Sequence, residues 1–225
     1  MLIFITNIAD SKAYGVFYGT NGRDLTCPEN DMADLASLYR NRGASIFLIR
    51  GKSVKRSTVL DCLRKQAKKC EPDDMLILAF SGHGCNDGIS CGWDFILYNE
   101  IINIFNTSKA CRKVIFVGAC ESGGMARAIK RAKLPKNGQI FALSSSRRNE
   151  YSLEQLGKRN SYFYERLLKG LKGSADKNED RIITAKEIFD YISSYIRKDV
   201  SSDNYEHPTA YGRFNDNLRL ISWFK

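Results

Sequence analysis

Two glycine-flanked side chains carry the chemistry this sequence could perform. Cys120 follows the apolar run Val114 to Val117 and the small residues Gly118 and Ala119, with Gly123-Gly124 just beyond it. The apolar run reads as a short buried strand, the glycines allow a sharp turn, and Met125 to Arg131 is a run of helix formers. His83 lies between Gly82 and Gly84 at the end of a second apolar run, Met75 to Phe80, and is one of only two histidines. An imidazole can take a thiol proton near neutral pH and return it to a departing amine, which makes the pair suited to nucleophilic catalysis. Cys120 alone is equally consistent with a buried cysteine in a strand-to-helix turn, because free cysteine is among the most buried residue types. The histidine changes that balance. Strands ending in His83 and Cys120, 37 positions apart, can be neighbours in one parallel sheet, which sets both groups over the edge where α/β folds bind ligands.

The elements that must position these residues are legible in outline. Met1 to Ile5 reads as a first strand, and Ala9 to Glu29, with Gly15, Gly19 and Gly22, as a loop or hairpin beside the site. Pro28 opens a helix over about 30–42 that Gly43 stops. Ala44 to Ile49 is a strand, and Ser57 or Thr58 caps a helix running to about Lys69. After the cysteine helix, Gln139 to Leu143 reads as a strand and Ser144 to Glu150 as a polar loop. Apolar spacing predicts helices over Tyr162–Leu171 and Ala185–Ile196, and Leu218–Trp223 is strand-like. A βαβαβ succession of this kind predicts a mostly parallel sheet covered on both faces.

Bulk properties narrow the class. The 225 residues, 43% hydrophobic and 27% charged, suit one soluble globular domain. The net charge of +10 is spread over short clusters, and no helix-turn-helix, zinc finger or aromatic RNA-binding strand accompanies it, so no specific nucleic-acid partner is expected. No apolar run approaches the roughly 20 residues that span a bilayer, and no signal-peptide pattern is visible. Seven cysteines, an odd number without metal-ligand spacing, are expected to be reduced in the cytoplasm.

Phe80-Ser-Gly-His-Gly84 and Ala119-Cys-Glu-Ser-Gly123, in this order and at strand ends, resemble the two catalytic motifs of the caspase-like cysteine peptidases. Metacaspases and bacterial caspase-family proteins are nearest, and the second string is also similar to legumain. The resemblance implies a three-layer αβα sandwich of the caspase–haemoglobinase type, with a mostly parallel sheet of about six strands, as a single domain over residues 1–225. It implies Cys120 as nucleophile, His83 as acid–base, and the backbone N–H groups of Gly84 and Cys120 as the oxyanion hole. That chemistry needs no metal, and metacaspases are generally monomers acting on protein or peptide substrates.

Metacaspases cleave after Lys or Arg, and acidic residues line that pocket. One is the Asp of an Asn-Asp helix start, matched here by Asp31; another lies two before the nucleophile, where this chain has Gly118. Glu29 and Asp94 of Gly92-Trp-Asp94 are candidates to restore the charge, although Glu29 reads as readily as a first-turn acid stabilising a helix N-terminus. Glu29, Asp31, Ser81, Asp94 and Gly118 are therefore the expected substrate-binding residues, with a basic preference, because an unpaired carboxylate favours a cationic partner. Lys130-Arg131, Lys133, Lys136 and Arg147-Arg148 are candidate self-processing sites or ordinary solvated charges. Asp176-Lys-Asn-Glu-Asp180 with Thr184 and Glu187 resembles an EF-hand loop, but its sixth position, normally glycine, is Arg181. Calcium is thus the one cofactor left open, against a plain helix-capping turn. A catalytically silent scaffold that binds protein partners is the competing reading, although such members usually lose the His or the Cys.

Overall fold

Seven consecutive residues, Met75–Ser81, are all buried, the mark of a strand covered on both faces. In this computed structural model, which describes residues 11–22, 24–135, 138–154, 157–199 and 206–223, that strand lies inside a six-stranded sheet. The chain runs β1 (Ala13–Gly19), α1 (Pro28–Arg40), β2 (Ser45–Arg50), α2 (Arg56–Lys69), β3 (Met75–Ser81), then the short β4 (Gly84–Cys85), β5 (Gly88–Cys91) and β6 (Asp94–Leu97). It continues through α3 (Tyr98–Thr107), β7 (Arg112–Gly118), α4 (Met125–Arg131), β8 (Gln139–Ser144), α5 (Tyr162–Lys169), β9 (Ile182–Thr184), α6 (Ala185–Asp199), β10 (Thr209–Arg213) and β11 (Arg219–Ser222).

The central sheet has the order β10-β8-β7-β3-β1-β2, parallel throughout except for β10, which runs antiparallel to β8. Alternation along the strands divides the core. Phe17, Ile77, Ala79, Val114 and Phe116 point to the side where α1, α5 and α6 contribute Leu35, Phe163 and Ile188. Val16, Tyr18, Leu78, Phe80 and Ile115 point to the other, where α2, α3 and α4 contribute Leu63, Phe105 and Ile129. The result is the expected three-layer αβα sandwich.

Two expectations change, and a third falls outside the described residues. The predicted first strand, Met1–Ile5, lies outside the described residues. The segment predicted as loop or hairpin, Ala9–Glu29, instead contains β1, an interior strand of the sheet. Its glycines suggested a loop, yet Val16, Phe17 and Tyr18 are fully buried. Gly15 is required by packing, since a Cβ there would lie 3.0 Å from both Ile46 Cδ1 and the Ile77 carbonyl oxygen. The second helix begins at Arg56 without a side-chain cap, so neither Ser57 nor Thr58 plays that part.

Candidate active site

The site forms where the strand order reverses. The chain steps outward from β1 to β2, then returns to the other side of β1 with β3 and continues to β7 and β8; loops diverging at such a switch leave a crevice at the carboxyl ends of the strands. Ser81 of β3 is in register with Gly118 of β7, and Gly82 N–H donates to the Gly118 carbonyl at 3.1 Å. His83 and Cys120 each stand two residues past that matched pair, so they leave adjacent strands at the same height. Both line one cavity of about 150 Å³, with Ser81, Gly118, Ser152 and Glu154 among its walls and Asp24 at its rim.

The cysteine side is densely bonded. Ala119 N–H donates to Ser145 Oγ at 3.1 Å, and the Ala119 carbonyl accepts from Ser146 Oγ at 3.0 Å. Ser144 Oγ donates to the Ser122 carbonyl at 3.0 Å, and Ser122 Oγ contacts Ser146 Oγ at 3.2 Å. Ser122, Ser144, Ser145 and Ser146 are all buried; the serine run predicted as the start of a polar loop is a buried clasp under Cys120. Glu121, at φ 56°, holds a left-handed conformation that costs a non-glycine residue energy. Its N–H donates to the Glu150 carbonyl at 2.8 Å and its carboxylate accepts from Asn86 N–H and Nδ2, each at 3.0 Å. Gly124 permits the Asn86 backbone to press against the turn, since a Cβ would collide with its carbonyl. Ser152 N–H donates to Cys120 Sγ at 3.5 Å. Among the described residues the Cys120 N–H has no protein acceptor, and Gly84 lies close enough that a Cβ on it would be 3.2 Å from the Cys120 carbonyl.

The histidine side is lighter. His83 Nε2 lies 3.0 Å from Asp24 Oδ1, and the two side chains are 46% and 71% exposed. No hydrogen bond joins His83 to Cys120 among the described contacts; the thiol's partners are the backbone groups of Ser152.

Asp31 sits behind the cavity wall, fully buried. It accepts from Ser81 Oγ at 2.8 Å, Ser161 Oγ at 2.8 Å and Ser161 N–H at 3.1 Å. Burial pushes its carboxyl up to about 7, against the pull of those donors. Both hydroxyls spend their hydrogens on Asp31, so the oxygens of these two cavity-lining residues can only accept, and Ser161 Oγ already accepts from Tyr164 N–H at 3.5 Å. Gly118 belongs to the same wall. The space a side chain there would need is taken by Tyr164, whose ring carbon Cε2 would lie 2.6 Å from a Cβ, and whose hydroxyl donates to the Phe80 carbonyl at 2.7 Å.

Glu29 and Asp94 lie elsewhere. Glu29, in the first turn of α1, does not line the cavity, and its N–H is held by Asn21 Oδ1 at 3.0 Å. Asp94 stands on β6, exposed, 4.0 Å from Arg56. A carboxylate not singled out in the sequence, Glu154, does line the cavity. It accepts from Thr26 N–H and Cys27 N–H at 2.9 Å each, closing the start of α1 from across the sequence. His207, the second histidine, bonds Glu150 through Nδ1 at 2.8 Å. Asp24, Ser152, Glu154, Ser161 and Tyr164 all escaped sequence reasoning. Asp24 had the one available signal: with Ala13–Gly19 read as a strand, the residues after it become a switch-point loop.

In the EF-hand-like loop, Asp176 Oδ2 accepts from Arg181 N–H at 2.9 Å and Asn178 Nδ2 donates to Asp180 at 3.0 Å. Among the described residues no group of three or more His, Cys, Asp or Glu could hold a metal ion. All seven cysteines are unpaired. No helix is long and apolar enough to cross a membrane among the described residues.

Known proteins agree with this architecture. The structure of protein GSU0716 from Geobacter sulfurreducens is 18% identical, covers 95% of this chain and 100% of its own, and superposes with a TM-score of 0.68. Caspase-1 from Spodoptera frugiperda is 13% identical over 92% of this chain and 89% of its own, with a TM-score of 0.70. No curated protein matches the chain. The family model described as the caspase domain, a family of cysteine peptidases, matches residues 11–214, nearly the whole length. The chain therefore belongs to the caspase-domain family.

Proposed function

We propose that this protein is a cysteine endopeptidase that cleaves after Arg or Lys, with Cys120 as nucleophile and His83 as acid–base. The observation that carries it is the placing of both groups on one small cavity, two residues beyond matched positions of adjacent strands. Cys120 Sγ, its proton passed to the imidazole, attacks the scissile carbonyl carbon. The resulting oxyanion is received by the N–H groups of Cys120 and Gly84. The imidazolium protonates the departing amine, leaving a thioester, which water hydrolyses to release the acid and restore the thiol. Each oxyanion donor is worth roughly 3–4 kcal/mol of barrier.

Substrate preference follows from the wall beside Cys120. The Ser81 and Ser161 oxygens offer acceptors backed by the Asp31 charge, and Glu154 adds a second carboxylate, so the side chain received there must donate hydrogen bonds and gains from being cationic. Glu154 thereby takes the part expected of Glu29 or Asp94. Because Asp31 titrates near neutrality, basic substrates gain as pH rises through about 7 and the carboxylate forms. Exposed Lys130, Arg131, Lys133, Arg147 and Arg148 are the proposed self-processing sites, with Lys136, which lies outside the described residues, and the unpaired cysteines suit action in the reducing cytoplasm.

A fluorogenic peptide panel, varied only at the residue before the cleaved bond, tests this with the wild type, Cys120→Ala and Asp31→Asn. The expected result is a preference for Arg and Lys, no turnover by Cys120→Ala, and a loss of about tenfold or more on basic substrates in Asp31→Asn, from removal of a buried charge partner. The wild-type rise through neutral pH flattens in that variant. Activity surviving in Cys120→Ala sinks the peptidase assignment, whereas a preference for Asp or Asn sinks the basic specificity alone.

A further inference from the structure

The loop after β1 is shaped to the imidazole at two separate points. Gly22 lies so close that a Cβ on it would stand 2.6 Å from His83 Nε2 and 2.9 Å from Cδ2; glycine is what lets the backbone lie against the ring. Two residues on, Asp24 Oδ1 meets Nε2 at 3.0 Å. The loop is anchored at its root by Thr20 N–H, which donates to the Ser81 carbonyl at 3.2 Å. It is steadied further along by the Glu29 N–H to Asn21 Oδ1 bond at 3.0 Å. The strands that root this loop and His83, β1 and β3, are hydrogen-bonded neighbours with Gly19 in register with Ser81.

We propose that Asp24 is the positioning residue for His83, holding Nε2 and so dedicating Nδ1 to the reacting atoms. With Nε2–H donated to the Asp24 carboxylate, the neutral ring keeps its lone pair on Nδ1. The thiol proton moves from Sγ to Nδ1, and from Nδ1 to the departing amine, while Asp24 keeps its charge and the proton on Nε2 stays in place. The neighbouring imidazole holds the Asp24 carboxyl below its usual range, which keeps it ionised at neutral pH. The other ionisable groups on the cavity are the Cys120 thiol and the Glu154 carboxylate, and Glu154 is already engaged by Thr26 and Cys27. Asp24 is thus the acid in direct contact with the ring. This role rests on the peptidase reading for its effect on rate, but the ring's tautomer can be observed without turnover.

Two measurements therefore run together on the full chain. The first is the pH dependence of kcat and KM on a fluorogenic peptide for the wild type, Asp24→Asn and Asp24→Glu. The second is the imidazole ¹⁵N spectrum of each, with His83→Ala used to assign the two histidines. Asp24→Asn is expected to lower kcat about tenfold, a fraction of what an acid–base group contributes, with KM nearly unchanged and the acid limb of the profile, where the ring must be neutral to take the thiol proton, moved to lower pH. Asp24→Glu restores part of the rate. Neutral His83 is expected as the Nε2–H tautomer in the wild type and as a tautomer mixture in Asp24→Asn. An unchanged rate profile in Asp24→Asn, or a wild-type ring protonated on Nδ1, overturns the proposal. A wild type without peptidase activity counts against the peptidase reading, and the spectrum then still decides the role of Asp24.

Discussion

The two halves of the site are built to different standards. On the cysteine side, the four serines, Glu121 with Asn86, and the Glu150 carbonyl fix the turn from Gly118 to Gly124 by contacts that are mostly buried. The C-terminal segment adds a second tie, because Ser152 Oγ donates to Glu206 at 3.0 Å and His207 N–H to Glu150 at 3.1 Å. On the histidine side, a half-exposed ring leans on a loop and one exposed carboxylate. The contrast suits the chemistry proposed for each. A nucleophile and its oxyanion donors act only at a fixed geometry, whereas an acid–base group must take a proton from the thiol and then carry it to the leaving amine. Stability should therefore be sensitive to substitutions beneath Cys120 and nearly blind to those at His83.

The most damaging substitution on the cysteine side should be Gly118→Asp, which introduces the acidic residue that the metacaspase resemblance leads one to expect there. Its side chain has to displace the Tyr164 ring, and overpacking together with a part-buried charge should cost about 3 kcal/mol. Urea unfolding checks it; a stability equal to the wild type would mean that Tyr164 moves aside freely and that the wall is adaptable. Next comes a matched pair. Ser145→Ala leaves the Ala119 N–H without its partner and should cost about 1–2 kcal/mol. His83→Ala should change stability by less than about 0.5 kcal/mol while lowering peptidase activity roughly a hundredfold or more. Equal losses of stability in the two would erase the distinction between the halves.

The smallest effect is a change of slope with pH. Burial pushes the Glu206 carboxyl up to about 8, and its Oε2 has no hydrogen-bond partner among the described residues. A folded-state value above that of the unfolded chain, about 4.3, means the fold holds the proton more tightly, so this group removes stability as pH rises from about 4.3 to 8. Glu206→Gln deletes that slope. Its melting temperature should therefore gain on the wild type between pH 5 and pH 8, and a constant difference across that range would show that Glu206 is ionised without penalty.

The sequence singled out His83 and Cys120, which share the cavity, because their signals are local. Glycine, histidine and cysteine at the ends of apolar runs can be read over a dozen residues, and the relevant strands emerged within a residue or two of Met75–Ser81 and Arg112–Gly118. The helices were legible for the same reason, since their apolar spacing repeats along a single face. The first interior strand was missed because its glycines carry the statistics of a turn, and only the approach of Ile46 and Ile77 shows why they are there.

What the sequence alone determined is therefore the pair of residues that meet at the cavity, the alternation of strands and helices, and the family. The tertiary structure decided the rest: which strands are neighbours, which carboxylate meets the histidine, and what fills the space left by Gly118. The reason is physical. Asp24 and His83, Glu154 and Cys27, and Tyr164 and Gly118 are each joined across 46 to 127 positions of chain. No local pattern records such contacts, and they exist only once the sheet has set its order and register.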